Sequence, residues 1–138
     1  MLITRKAEFS ASHVCRQARL SESENKALYG AEANGHGHGH NYVLEVTLEG
    51  VADPVTGMVM DLKELKDVLQ REVLDAYDHR FLNCEVPPFD HIVPTPENIA
   101  VDIWNRLAAR LADPRCRLHR VRLYETPDLW VDYFGDGA

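Results

Sequence analysis

The sequence predicts an α+β domain: an antiparallel sheet with two helices packed on one of its faces. Three observations carry this. Residues His40 to Leu48 alternate between two faces with the period of a strand. Two amphipathic stretches begin at Asp61 and Thr95, each with helix-start chemistry. The strand-like segments lie in groups before and after those helices instead of alternating singly with them, which disfavours a parallel sheet.

The elements follow in order. Leu2 to Ser10 reads as a first strand. From Ser12 to Gly37 the chain is polar and irregular, and loops beyond ~12–15 residues in compact domains are usually functional or disordered. In the next strand His40, Tyr42, Leu44, Val46 and Leu48 share one face, and Asn41, Val43, Glu45 and Thr47 the other. Asp53-Pro54-Val55-Thr56-Gly57 is turn chemistry, with Met58-Val59-Met60 a short returning strand. Asp61 caps the first helix, with Glu64 at the reciprocal capping-box position. Leu62, Leu65, Leu69, Val73 and Tyr77 are its apolar stripe. Thr95-Pro96-Glu97 opens the second helix as cap, first-turn proline and first-turn acid. Its stripe is Ala100, Ile103, Trp104, Leu107, Ala108 and Leu111, ending at Asp113-Pro114. Arg117 to Tyr124 and Leu129 to Phe134 are the last strands. The order is ββααββ with a split first hairpin region, in one domain spanning residues 1–138. So small an open sheet leaves two edges to protect, and pairing between copies is one way to do it.

Composition excludes several classes. The 138 residues are 45% hydrophobic and 27% charged, which are globular values. With 15 Lys and Arg against 22 Asp and Glu, the net charge of −7 opposes nucleic-acid or polybasic membrane binding. No apolar run approaches the ~20 residues of a membrane span, and Met1 to Phe9 has no apolar signal-peptide core. Three widely spaced cysteines make no disulfide framework and suit a reducing, cytoplasmic location. Seven histidines stand out, three of them within five residues.

Those three are His36, His38 and His40, interleaved with glycines. In extended backbone all three point to one face, and two imidazoles at i and i+2 can converge on one metal ion. A third ligand from elsewhere would complete a three-histidine site with an open position, the pattern of catalytic zinc. The alternative is a solvated glycine-rich loop.

The residues then resemble a known family. Phe9-Ser10-Ala11-Ser12-His13 followed by Gly37-His38-Gly39-His40-Asn41-Tyr42 is similar to the zinc motif of the 6-pyruvoyltetrahydropterin synthase and 6-carboxytetrahydropterin synthase family. Gly57 to Leu62, Asp78-His79-Arg80-Phe81-Leu82-Asn83, Pro94-Thr95-Pro96-Glu97-Asn98 and Glu125-Thr126 match in the same order. The resemblance implies a tunnelling fold with a four-stranded sheet. It also implies a homohexamer of two stacked trimers, with active sites between subunits. It implies zinc on His13, His38 and His40, leaving His36 surplus, although a register using His36 and His38 is open. Asp78 and His79 become a catalytic proton-transfer pair, against the alternative of a helix-terminal histidine. By the same resemblance Glu125 would anchor a pterin ring, with Thr95 and Glu97 beside it or simply capping their helix. The implied substrate is a pterin triphosphate, 7,8-dihydroneopterin triphosphate.

The departure concerns a catalytic cysteine. The pyruvoyl enzymes place it six residues before the first histidine of the pair, where this chain has Glu32; the carboxy enzymes place it four before, where it has Asn34. Glu32 is then either the base or an exposed loop acid. Glutamate at this slot resembles the subgroup that cleaves the side chain to 6-hydroxymethyl-7,8-dihydropterin. A pterin- or zinc-binding protein without catalysis is the reading from another class. Cys15, two residues after His13, is either a packing residue or within reach of the site. Arg16, Arg19 and Arg80 are the nearest cations for a triphosphate.

Overall fold

The computed structural model describes residues 1–136. Its sheet has five strands in the order β3-β1-β2-β4-β5. Strand β1 (Leu2–His13) runs antiparallel to β2 (His38–Gly50), which is antiparallel to β4 (Cys116–Thr126), itself antiparallel to β5 (Leu129–Tyr133). Four antiparallel strands were expected; the fifth, β3 (Arg80–Phe81), pairs parallel with Ala11 and Ser12 of β1. No two-residue strand has a periodicity that a sequence can show.

The strand at Met58–Met60 is absent. Strand β2 is central, with β1 on one side and β4 on the other, so a strand returning from it finds neither of its edges free. The segment satisfies its backbone locally instead. The Asp53 carboxylate accepts from Val55 and Thr56 N–H, and Gly57 N–H donates to Asp53 O at 2.7 Å. Val59 still reaches the core.

The long polar loop holds a helix that its composition hid. Helix α1 (Glu22–Tyr29) starts with a complete capping box, in which Ser21 accepts from Glu24 N–H and Glu24 bonds back to Ser21 N–H. Asn25 is its one buried residue, so it has no apolar stripe. A 3₁₀ turn, Gly30–Ala33, follows and carries Glu32 back toward β1.

Helix α2 (Leu62–Leu69) continues through a π turn, Gln70–Leu74, into α3 (Asp75–Tyr77). Asp61 caps it through Lys63 N–H, one residue short of the capping-box position expected with Glu64. Twelve residues of ideal helix, at about 100° each, would carry Tyr77 about 120° around from Leu65. The wider π turn winds the helix back, and Leu65, Leu69, Val73 and Tyr77 are all buried. Leu62, expected in that stripe, lies in the exposed first turn. A short helix α4 (Leu82–Glu85) precedes α5 (Pro96–Ala108), which Thr95 caps by accepting from Asn98 N–H.

The core lies between sheet and helices. Tyr42, Leu44, Val46, Leu48, Val121 and Leu123 face Leu65, Ile99, Ile103 and Leu107, all essentially inaccessible to water. Each such aliphatic side chain contributes roughly 1.5–3 kcal/mol by burial. Among the described residues no helix is long and apolar enough to cross a membrane.

Candidate metal and catalytic site

Strand register builds the site. The β1–β2 ladder runs unbroken from Leu2 opposite Glu49 to His13 opposite His38, and His40 lies two residues further along β2 on the same face. The three imidazoles therefore meet at the end of the β1–β2 ladder, beyond Phe9 and Tyr42. Ring centroids are 4.6 Å apart for His13 and His38, 4.9 Å for His38 and His40, and 5.2 Å for His13 and His40. One ring nitrogen from each lies within 4.8 Å of the others. His36 stays outside, exposed in the turn before β2, with its N–H on the Asn34 side chain. Gly37 makes that turn at φ 76°, a conformation suited to glycine.

The donor set suits a metal of zinc's preferences. His13 is fully buried and its Nδ1 lies 2.7 Å from Pro94 O. A ring donating there keeps Nδ1 protonated and leaves the Nε2 lone pair for a ligand, the outer-shell arrangement usual for metal-binding histidines. Burial, with the neighbouring imidazoles, pushes the pKa of His13 down; burial and His38 do the same for His40. Both favour the neutral, ligating form. His40 Nε2 and His38 Nδ1 are buried atoms without a hydrogen-bond partner.

Two carboxylates flank the imidazoles. Glu125, at the end of β4, is 5% exposed, with Oε1 at 3.6 Å from His40 Nε2 and Oε2 unpartnered. Burial raises its pKa to about 7, helped by the charges of Glu32 and Glu97. Glu32 lies half-buried with Oε1 at 3.8 Å from His38 Nε2. Its other oxygen accepts from the Cys15 thiol at 3.4 Å, and its carbonyl takes the Cys15 N–H at 2.9 Å. Cys15 is buried against the site, and burial with Glu32 raises its pKa to about 12. That thiol is a hydrogen-bond donor and not a nucleophile at neutral pH. Tyr42 packs edge-on to His40 at 5.5 Å, and its buried hydroxyl has no partner.

The other expected groups are spread around this centre. Asp78 accepts from Ser10 N–H at 2.9 Å and lies 3.0 Å from His79 Nδ1. That bond to Ser10, with His79, holds its pKa low. His79 adopts φ 61° and is 84% exposed. It joins His40 only across an open cavity of about 480 Å³, lined also by Ser10, Asn41 and Arg80. Thr95 and the exposed Glu97 start α5, next to the Pro94 carbonyl on His13. Arg16 and Arg19 are exposed, and Arg80 pairs with Glu85 at 3.5 Å. Asn83 clamps both backbone groups of Val14, fixing the end of β1 directly after His13. The Pro94 carbonyl and the Tyr42 hydroxyl escaped sequence reasoning. A backbone acceptor leaves no sequence signal, and Tyr42 reads as one more apolar face position.

A family model described as 6-pyruvoyl tetrahydropterin synthase matches residues 2–136. The 6-pyruvoyl tetrahydrobiopterin synthase of Poecilia reticulata is 45% identical over 134 residues, covering 97% of this chain and 90% of that one. The solved 6-pyruvoyl tetrahydropterin synthase of Caenorhabditis elegans superposes with a TM-score of 0.93 at 40% identity, covering 99% of this chain and 96% of that one. A Plasmodium vivax 6-pyruvoyltetrahydropterin synthase, solved with a catalytic glutamate replaced by alanine, shares the fold alone, at TM-score 0.61 and 17% identity over 96% of this chain and 97% of that one.

Proposed function

The chain belongs to the 6-pyruvoyl tetrahydropterin synthase family, and on that premise we propose that it is a zinc-dependent lyase acting on 7,8-dihydroneopterin triphosphate. The observation that carries this reading is the convergence of His13, His38 and His40 within 4.8 Å, beside the buried carboxylate of Glu125. The three histidines hold the metal. Zinc bound there supplies Lewis acidity that lowers the pKa of substrate hydroxyls.

The rest is the work of the chain's own side chains. Glu125 accepts two parallel hydrogen bonds from a ring N–H and the exocyclic amino group of the pterin. Thr95 and Glu97 border that ring from the start of α5. Glu32, steadied by the Cys15 thiol, takes a proton from the substrate side chain. Asp78 fixes His79 through Nδ1, leaving Nε2 free to exchange protons with substrate. His79 faces outward, so it serves a site shared with a second copy. The assembly we propose is a hexamer of two stacked trimers. The unpaired outer edges of β3 and β5, with exposed Leu129 and Trp130, support it. Cys15, Cys84 and Cys116 are free thiols, consistent with work in a reducing cytoplasm.

Glu32 favours a second product. A carboxylate poised to deprotonate a hydroxyl, and not a C–H, suits retro-aldol cleavage to 6-hydroxymethyl-7,8-dihydropterin. The Plasmodium vivax synthase, with a glutamate as a catalytic residue, supports giving Glu32 chemistry. Mass spectrometry of the products from zinc-loaded protein and 7,8-dihydroneopterin triphosphate separates the cases. A 6-pyruvoyl, 6-carboxy or 6-hydroxymethyl pterin identifies the branch. No turnover of any neopterin derivative would instead make this a non-catalytic binding protein.

A further inference from the structure

The substrate proposed above carries a triphosphate, and a chain of net charge −7 has no general attraction for such an anion. The cations that receive it have to be local and uncommitted. Arg80 is held by Glu85 at 3.5 Å, and Arg106, Arg117, Arg120 and Arg122 are likewise paired with carboxylates. Arg16 and Lys26 are different. Both are exposed, and among the described residues neither side chain forms an ion pair or a hydrogen bond. Both line one open cavity of about 580 Å³ beside helix α1. Glu22 is the single acid among its lining residues; it precedes Lys26 by one turn of α1 and forms no ion pair with it.

The backbone that carries these two cations is fixed from both sides. Cys15 N–H donates to Glu32 O at 2.9 Å, just before Arg16. Just after it, Gln17 N–H donates to Asn25 Oδ1 at 2.7 Å, and Gln17 O accepts from Asn25 Nδ2 at 3.0 Å. Asn25 is buried and also donates to Leu20 O and Ser21 O, so it ties this loop to α1 one residue before Lys26. The cavity adjoins the imidazoles through the 3₁₀ turn. Ala31 and Ala33 line it, while the carboxylate of Glu32 between them lies 3.8 Å from His38 Nε2. The turn is thus the wall between cavity and histidine cluster, and Glu32 stands on it.

We propose that Arg16 and Lys26 bind the triphosphate of the substrate in this cavity. This rests on the pterin reading above and adds the subsite that reading leaves open. Arginine offers parallel N–H donors to phosphate oxygens, and lysine a compact charge. In the substrate the phosphate chain begins on the carbon next to the side-chain hydroxyls. With the ring on Glu125 and the phosphates on Arg16 and Lys26, the reacting carbons are drawn across Glu32, which stands between the two subsites.

The test is the double variant Arg16→Gln, Lys26→Gln, which removes both charges from exposed positions. Neopterin and neopterin triphosphate are titrated separately into metal-loaded wild type and variant by ring fluorescence, with metal content measured in parallel. Wild type is expected to bind the triphosphate form more tightly than neopterin, with an advantage that shrinks as salt is added. The variant is expected to lose about tenfold in Kd for neopterin triphosphate, the loss typical of a charge-assisted contact. Its Kd for neopterin and its metal content stay unchanged. Lys63→Gln with Lys66→Gln, the same charge change on exposed residues of α2 outside this cavity, leaves both Kd values unchanged. An unchanged triphosphate Kd in the Arg16, Lys26 variant overturns the proposal, as does an equal loss in the Lys63, Lys66 variant. If wild type binds neopterin and its triphosphate equally while inorganic tripolyphosphate binds independently of either, the cavity serves a separate polyphosphate. That overturns the proposal and leaves the pterin reading standing. Wild type that takes up metal but binds neither pterin overturns the pterin reading and this proposal with it.

Discussion

The histidine cluster and the Asp78–His79 corner both carry groups suited to proton and metal chemistry, yet they are built in opposite ways. The cluster is buried and held from several sides: the β1–β2 register sets His13 against His38, Pro94 fixes one ring, and Cys15 clamps Glu32. The corner is exposed, and its histidine adopts a backbone conformation that β-carbon-bearing residues rarely use. One region is complete within a single chain and the other is presented outward. Preorganisation and strain are both ways of fixing a side chain, and this fold uses one at each place.

The largest effects are expected at the cluster. His40→Ala is expected to lower metal affinity on the order of 10²-fold or more, since a three-ligand site becomes a two-ligand site. Metal analysis after dialysis should find the variant nearly empty while the fold persists by circular dichroism. Full retention of metal would mean the ion is held elsewhere. Glu32→Gln comes next. It keeps the metal but slows product formation by roughly 10²–10⁴-fold, the usual contribution of a general base. Unchanged turnover would remove Glu32 from the chemistry.

The two regions should also answer pH with opposite sign. Asp78 has a lowered pKa in the fold, so it stabilises above the ordinary carboxylate range and that contribution is lost as pH falls through it. Glu125 is raised from 4.5 to about 7, so in metal-free protein its burial makes stability fall as pH rises across that interval. Denaturant melts of Asp78→Asn and Glu125→Gln check this. The first should flatten the acid limb, and the second should stabilise metal-free protein at pH 7.5. The smallest effect is expected of His79→Gly. It relieves a φ of 61°, raising stability by about 1 kcal/mol, or roughly 3 °C in Tm, while product formation falls. A lower Tm would show that the conformation is not strained.

Much of this was legible from residues with a regular neighbourhood. The alternation of His40 to Leu48 and the cap at Thr95 give β2 and α5 directly, because burial there follows one simple period. Helix α1 was missed because its stripe is polar, although Ser21 and Glu24 spell out the capping box. The strand at Met58–Met60 failed for a reason outside its own residues: both edges of β2 were already taken. In the site, the meeting of His13 with His38 and His40 was foreseen as a motif, but only the ladder shows why it occurs. The Cys15–Glu32 contact joins β1 to the 3₁₀ turn across a loop whose path no local pattern encodes.

Pro94 has a consequence of its own. Its carbonyl sits on His13 Nδ1, and the next residue, Thr95, caps α5. The start of that helix and the electronic state of a metal-facing imidazole are therefore one mechanical unit. A displacement of the first turn of α5 would lengthen the hydrogen bond to Pro94 and weaken the Nε2 lone pair of His13 as an electron donor. A group bound near Thr95 would thereby act on any metal that His13 holds, through a single peptide group.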